Sequence, residues 1–281
     1  MDLLGLALLF SPIVFPSPPQ LVIHFFDIAY GDAILIQLPE NRTALIDTGK
    51  PADGPILVEK IRALGIDRLD WVFVTHFHKD HAGGLLSILD VFFPEPSREK
   101  DRSPRIMLPS IPAFVEPEVE GVLAEIKKRN TRILRRGEIL DLSPPVQIEV
   151  LHPRALIGNP NEDSMVLRVI HGKNILLFGA DVGSIGQKAL VEHFGSTLKA
   201  DLIKIPHHAN EVFEPIFETF VQHVDPKVAI LTIGPNPYGA PNPEMLSLYE
   251  RHADRIFRTD RHGTITVKSD GASFQIETER K

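Results

Sequence analysis

The chain has 281 residues, 43% of them hydrophobic and 24% charged, a balance that excludes a disordered or fibrous protein and leaves room for one large domain or two small ones. A formal net charge of -7 argues against a surface built throughout for nucleic acid, although a local basic patch stays open. With no cysteine there can be no disulfide, thiolate nucleophile or cysteine-ligated metal, so soft-ligand chemistry falls to the 12 histidines.

In chain order, an apolar run from Leu3 to Phe15, interrupted by Pro12, is too short to cross a bilayer as a helix. Its length suits a signal-peptide core, but no Lys or Arg precedes it and the following PSPPQ offers no small-x-small cleavage site. The cytoplasm is favoured on these signals, with export or loose membrane attachment through residues 3–15 as the alternative; no transmembrane span is expected. Residues 1–20 thus read as an apolar segment with a Pro-rich linker, and residues 21–281 as a single domain. Leu21–Asp27, Ala33–Leu38 and Thr43–Asp47 read as consecutive strands, followed by a helix over Ile56–Leu64 and a β-rich Trp71–Thr75. Helices are predicted near Gly84–Val91, Pro117–Arg129, Ile185–Phe194, Val212–His223 and Pro243–His252. Strands are predicted at Gln147–Leu151, Met165–Ile170, Asn174–Phe178, Leu202–Ile205, Val228–Thr232 and Thr264–Val267. Phe93–Arg105, rich in proline and alternating charge, reads as a surface loop. Strands with interleaved helices in both halves predict an α/β (α+β) fold of two stacked sheets covered by helices, a four-layer αββα sandwich.

The most informative stretch is VTHFHKDHAGG at positions 74–84. His76 and His78 sit two apart after a strand, which in an extended chain turns both imidazoles to the same side and lets them share one metal. Asp80 and His81 fall where the backbone enters a helix, so their side chains diverge and can address a second ion. Nitrogen and carboxylate ligands suit zinc first, with manganese or iron as substitutes. A merely solvated polar loop is the alternative, disfavoured because three histidines and an aspartate within six residues is a rare accident.

This pattern resembles the metallo-β-lactamase superfamily, and further segments match in order. Asp47 in LIDTG looks like the family's structural aspartate, which hydrogen-bonds the metal-binding loop rather than the metal. Asp181 in LLFGADV looks like the carboxylate that bridges two ions, against the alternative of a simple helix cap. His207-His208 in DLIKIPHHAN look like the last ligand position: His207 is taken as the ligand, and His208 as a possible ligand or substrate contact, with their order left open. FDIAYGDAILIQLP, NEDSMVL, IKIPHH, NPYGAPNPE and RTDRHGTITVKSDG resemble the soluble domain of ComEC-type competence proteins and their stand-alone relatives. The resemblance covers roughly residues 21–281 and implies a binuclear metal-dependent hydrolase with two divalent ions, held by His76, His78, Asp80, His81, Asp181 and His207.

Departures from the pattern bear on the substrate. Asn161 and Ser164 stand where many relatives carry the third histidine of the first metal site, so they are candidate metal or substrate contacts in a weaker or partly hydrated first site. His78 stands where ComEC-type domains commonly have aspartate. The HHGS segment of that group appears as His207-His208-Ala209-Asn210 and its YGHP segment as Tyr238-Gly239-Ala240-Pro241, which removes a hydroxyl and a histidine. The membrane channel of true competence proteins has no counterpart in this sequence, and DNA uptake is not expected. His152, at a strand end before a proline, reads as structural.

The expected reaction is hydrolysis by a hydroxide held between two ions about 3.5–4 Å apart, which lower the pKa of bound water from 15.7 towards neutrality. Asp80 and Asp181 are the candidate catalytic proton acceptors. A phosphodiester or phosphoester bond, in a small molecule or a nucleic acid, is the leading substrate. A basic cluster of Lys127, Lys128, Arg129, Arg132, Arg135 and Arg136 would suit a phosphate backbone, although a solvated face and a helix C-terminus account for it too. A lactone, thioester or β-lactam is the alternative substrate, with Phe77, Phe93, Ile111 and Phe114 lining an apolar pocket. A degenerate metal-binding regulatory module is the third reading, disfavoured because nearly the whole ligand set is kept. No protein partner is evident. Trp71 is expected in the core, and Arg258–Gly263 as a hairpin turn with His262 exposed.

Overall fold

The computed structural model describes residues 20–94 and 105–281. The apolar segment at 3–15, nearly all of the linker and most of the loop expected over Phe93–Arg105 lie outside these residues.

Apolar side chains in the first three strands serve two partners. In β1 (Leu21–Phe25), β2 (Ile34–Leu38) and β3 (Arg42–Ile46), residues Ile23, Phe25, Ile34, Ile36, Ala44 and Ile46 belong to one core cluster, while Leu35 and Leu45 belong to another. Successive side chains leave a strand on opposite faces, so a strand apolar on both must be covered on both. The sheet continues through β4 (Trp71–Phe73), β5 (Arg105–Leu108) and β6 (Thr131–Ile133). A second sheet is built from β7 (Ile139–Ser143), β8 (Val146–His152), β9 (Val166–His171), β10 (Asn174–Phe178), β11 (Leu202–Lys204), β12 (Val228–Leu231) and β13 (Arg255–Arg258). The last strands, β14 (Ile265–Ser269) and β15 (Phe274–Thr278), return to the first sheet, whose order is β15-β14-β1-β2-β3-β4-β5-β6; the second is ordered β13-β12-β11-β10-β9-β8-β7.

Between the sheets, Phe25, Ile36, Phe73 and Met107 meet Leu176, Phe178, Leu202 and Ile230, with the rings of Phe25 and Phe178 stacked at 5.9 Å. Outside the first sheet lie α1 (Asp53–Ala63), the short α2 (Lys79–Ala82), α3 (Leu85–Phe92) and α4 (Glu120–Ile126). Leu57, Ile61, Leu89 and Val122 from α1, α3 and α4 pack on Leu35, Leu45 and Val72. Outside the second lie α5 (Ser184–Phe194), α6 (Pro215–Val224) and α7 (Pro243–His252), whose Leu190, Phe220 and Leu248 pack on Leu177, Ile203 and Ala229. This is the expected four-layer αββα sandwich.

Differences from the sequence reading have physical causes. The four unpredicted strands β6, β7, β13 and β15 are the outer strands of the two sheets, where exposed and charged residues blunt the edge and blur the apolar period. The fifth, β5, is only four residues long. The helix expected over Pro117–Arg129 is a 3-10 turn, Pro117–Val119, followed by α4, and α6 begins at Pro215 because proline fits the first helical turn. The expected hairpin at Arg258–Gly263 contains a helical turn, α8 (Thr259–His262), and His262 is half-buried with Nδ1 2.9 Å from the Arg258 amide. Trp71 is half-buried under the Arg42 guanidinium, 5.4 Å from its ring centre.

Strands β3 to β6 run parallel, as do β10 to β13. In open α/β sheets ligands gather beyond the carboxyl ends of parallel strands. The histidine motif leaves β4 at that end, and Asp181 and His207-His208 follow β10 and β11.

Candidate metal centre

The first half of the site hangs on Asp47, just after β3 and in left-handed backbone (φ 57°). Its carboxylate accepts the Thr75 amide (2.7 Å), the Thr75 hydroxyl (2.6 Å) and His81 Nδ1 (2.8 Å), so both oxygens are taken. That grip fixes the extended chain from Thr75, in which His76 Nε2 and His78 Nδ1 come within 3.1 Å of each other. It also fixes the tautomer of His81 and turns its Nε2 the other way, 3.1 Å from Asp181 Oδ2. Close packing behind the motif needs glycine: a Cβ on Gly84 would stand 2.2 Å from the Thr48 carbonyl oxygen.

The second half comes from the other sheet. Ala180, His207, His208 and Ala209 all have positive φ, between 45° and 53°. For residues with a Cβ this conformation costs about 1–2 kcal/mol each, and such strain concentrates at functional sites. Its effect is to send adjacent imidazoles to different sides of Asp181. His208 Nε2 lies 3.8 Å from Asp181 Oδ1, 3.4 Å from His81 Nε2 and 3.9 Å from Asp80 Oδ2, while its Nδ1 donates to the Thr232 carbonyl at 2.8 Å. His207 Nε2 lies 3.9 Å from Asp181 Oδ2 and 3.3 Å from Asn161 Nδ2, and its Nδ1 is 2.6 Å from Glu211 Oε1. His76 Nε2 is 3.8 Å from the same Asp181 Oδ2.

Among the described residues, three groups are close enough to hold a cation: His76 with His81 and Asp181, Asp80 with His81 and His208, and Asp32 with Asp47 and His81, the last already taken up by internal hydrogen bonds and the Lys204 pair. Sequence reasoning put His207 among the ligands and left His208 undecided; in the structure His208 is the one buried against Asp80 and His81, and His207 faces Asn161. Asn161 reaches the cleft, whereas Ser164 is fully buried and its Oγ has no hydrogen-bond partner. The open cleft above is about 170 Å3 and is bordered by Tyr30, Asp80, Asn161, Asp181, His207 and Tyr238.

Electrostatics favour the neutral form, with a lone pair to offer, at three of the imidazoles. Burial pulls His76 well below the ordinary imidazole range, and lowers His78 and His208 as well. Burial also opposes protonation of His81, but Asp181 and Asp47 outweigh it and hold that imidazole well above its usual range. For Asp181, burial is outweighed by His81 and His208, and its carboxyl sits well below the usual carboxylate range. Asp181 Oδ1 is nonetheless buried without a hydrogen-bond partner, as is Asn161 Oδ1. A buried acceptor left so costs about 1–3 kcal/mol, and a cation at this point would relieve it. The donor set therefore fits divalent metal.

Several supporting residues escaped sequence reasoning. Lys204 is 0% exposed and pairs with Asp32, whose other oxygen accepts the Thr232 hydroxyl at 2.5 Å. A lysine inside the apolar strand LIKI is a visible signal for this pair; Glu211, four residues beyond His207, carries none. His152 Nε2 lies 2.6 Å from the Glu162 carbonyl oxygen and secures a loop. Four of the six residues of the basic cluster are engaged within the protein: Lys128 and Arg129 pair with Glu125, Arg132 with Glu138, and Arg135 with the Pro109 carbonyl. Phe77, Ile111 and Phe114 line a cavity beside His76 and His78, whereas Phe93 is packed into the core under α3.

A family profile described as metallo-beta-lactamase superfamily matches residues 27–211. The chain belongs to that superfamily. It is 29% identical over 268 residues to ComE operon protein 3 of Bacillus subtilis (strain 168), covering 88% of this chain and 33% of the relative. The chain thus spans about a third of the length of that protein, and likewise 32% of competence protein ComA of Neisseria gonorrhoeae, to which it is 24% identical over 249 residues and 88% of this chain. Among solved structures, a diphosphatase from the PhnP family superposes with TM-score 0.53 at 13% identity, over 89% of this chain and 98% of that one, which shows the shared fold. Among the described residues, no helix is long and apolar enough to cross a membrane.

Proposed function

We propose that this superfamily hydrolase cleaves a phosphodiester or phosphoester, in a small molecule or a nucleic acid, at a two-metal site. The observation that carries the reading is Asp181: one buried carboxylate with Oδ2 facing His76, His81 and His207 and Oδ1 facing His208, without a hydrogen bond on the latter oxygen. A carboxylate so flanked suits a bridge between two cations. His76, His78 and Asp181 would hold the first, and Asp80, His81, His208 and Asp181 the second. His207, whose ring Glu211 orients, stands beside the first with Asn161, where relatives supply a third histidine. Zinc suits this donor set first, manganese or iron next.

Bound there, the ions would supply Lewis-acid activation of water and of the phosphoryl oxygen, the chemistry for which two-metal sites serve in-line displacement. Asp80 lies at the open side of the cleft and serves as proton acceptor, with Asp181 beneath it. Tyr30, its ring 4.5 Å from that of His208, closes the cleft towards the second sheet and limits water there. Asp47 and the Asp32–Lys204 pair hold the ligands in place. A diphosphatase from the PhnP family shares this fold, and phosphorus rather than carbon is taken as the centre attacked.

The apolar cavity beside His76 favours a second reading, hydrolysis of a lactone, thioester or β-lactam. Metal analysis and parallel assays separate the two. The purified protein should bind two equivalents of zinc or manganese, reduced by His76→Ala and Asp181→Ala. With added metal it should turn over bis-p-nitrophenyl phosphate or single-stranded DNA. Turnover of a homoserine lactone or nitrocefin alone would refute the phosphoester reading, and two bound metals with no turnover at all would point to a regulatory module.

A further inference from the structure

A second cavity, about 610 Å3, opens beside the cleft at His76 and His78. That is the size of a pocket for a small organic group. One wall is the segment from Pro109 to Glu116 and the other runs from Leu156 to Asp163. Its chemistry differs sharply from that of the cleft. Among the described residues, no lysine or arginine lines it. Its two carboxylates are already engaged: Glu116 Oε2 accepts the Lys79 amide at 3.0 Å, and Asp163 accepts the amides of Ile157 (2.7 Å) and Gly158 (2.8 Å). Apart from Ser110 and the two histidines, what remains is apolar. Phe114 is 92% exposed, Ile111 43% and Leu156 42%, three large hydrophobic side chains held in water at the rim. Scattered exposed apolar residues are ordinary, but a cluster converging on one cavity at the edge of a reactive site is a binding feature. Pro109, Pro112 and Pro160 stiffen the walls, so the cavity is formed before anything enters it.

We infer that this cavity is a subsite for an uncharged, aromatic or apolar group of the substrate, seated against Phe114 and Ile111 while the phosphoryl group lies at the histidines. The inference rests on the phosphoester reading of the neighbouring site and narrows it: the substrate is a phosphoester whose second arm is an uncharged ring or hydrocarbon, and its next charged group does not extend in this direction. Among the described residues, the cavity has no cation to receive a phosphate chain. An aromatic arm would stack on Phe114, an interaction worth about a tenfold change in affinity or more per ring.

The test compares two non-reactive phosphodiesters, diphenyl phosphate and dimethyl phosphate, by calorimetric titration into zinc-loaded protein, alongside turnover of bis-p-nitrophenyl phosphate. The wild type should bind diphenyl phosphate the more tightly. Phe114→Ala and Ile111→Ala, both at the exposed rim, should each weaken diphenyl phosphate about tenfold more than dimethyl phosphate. In turnover they should raise KM for the aryl diester far more than they change kcat, with two metals still bound. Equal affinity of the wild type for the two diesters, or equal losses for both in the variants, overturns the subsite. Selective binding of diphenyl phosphate without turnover of any phosphoester leaves the subsite standing and overturns the phosphoester reading.

Discussion

Replacing Lys204 by methionine should destabilise the metal-free protein by about 3–5 kcal/mol, the cost of leaving one partner of a buried ion pair behind. Asp32, Asp47, Asp80 and Asp181 face one another where the sheets meet. Among the described residues, Lys204 is the only lysine or arginine within 4.0 Å of any of them. Its ammonium pairs with Asp32, donates to the Ala180 carbonyl at 3.2 Å and stands 4.0 Å from Asp181 Oδ1. Methionine preserves most of the volume, so packing changes little and the loss is electrostatic. It leaves Asp32, 1% exposed, with the Thr232 hydroxyl as its remaining hydrogen-bond donor to the carboxylate. Burial pushes that carboxyl up, and Lys204, with His208 and His81, holds it below its usual range.

The assay is urea unfolding of chelator-treated protein, read as the midpoint at constant slope. Asp32→Asn in the Lys204→Met background removes the stranded charge, so the double variant should recover stability, with a coupling of about 2–3 kcal/mol in the cycle. Zinc should narrow the gap between Lys204→Met and wild type, because the ions return positive charge to the same carboxylates. A Lys204→Met protein within about 1 kcal/mol of wild type, or strict additivity with Asp32→Asn, would refute the argument, since single-partner loss from a buried pair is what the magnitude rests on.

Two other outcomes follow from geometry away from the ligands themselves. Gly31→Ala should impair the second metal site, because φ at Gly31 is 144° and a Cβ there would lie 2.5 Å from the Asp80 carbonyl oxygen, which also accepts the Asp32 amide at 3.1 Å. Loss of the second metal equivalent in a folded variant is the expected result, and wild-type stoichiometry would count against it. His24→Phe should flatten the acid limb of stability: burial and then Lys268, against a smaller opposing pull from Glu277, lower the imidazole to about 4. The unfolded chain binds that proton near pH 6.5 and the folded one does not until about pH 4, so native stability is full above 6.5 and falls as pH drops between the two. The whole span is worth about 3 kcal/mol. Urea midpoints at pH 7.5 and 5 should therefore differ less in the variant, and an unchanged difference would show that burial beside Lys268 does not hold the ring neutral.

What was legible in the sequence is what depends on local geometry. The pairing of His76 with His78 follows from the period of an extended chain, and the places of Asp47 and Asp181 from the ends of apolar strands. Interior strands other than the short β5 announced themselves because both faces are buried, and the edge strands did not because water covers one side of them. The division of labour between His207 and His208 was hidden for another reason. It is set by three successive left-handed residues, none of them glycine, and a sequence rule that looks to glycine for positive φ cannot anticipate them. The Asp32–Lys204 pair was hidden because it is a tertiary contact across 172 residues of sequence, made only when the sheets have packed.

That last contact shows how the site and the fold depend on each other. His81 is tied to Asp47 of its own sheet through Nδ1 and approaches Asp181 of the other through Nε2, so a single imidazole spans the interface between the sheets. Asp32 does the same from the loop between β1 and β2: its amide donates to the Asp80 carbonyl, its carbonyl accepts the Gly49 amide, and its carboxylate takes Lys204 and Thr232 from the second sheet. Neither half of the ligand set is complete alone, and each half is oriented by a hydrogen-bonded carboxylate that is itself fully buried. Shifting one sheet on the other would therefore separate Asp181 from His81 and Lys204 from Asp32 together. Cation binding and docking of the two sheets are linked, and a cation bound only by the docked state adds to its stability in proportion to the logarithm of metal concentration over Kd.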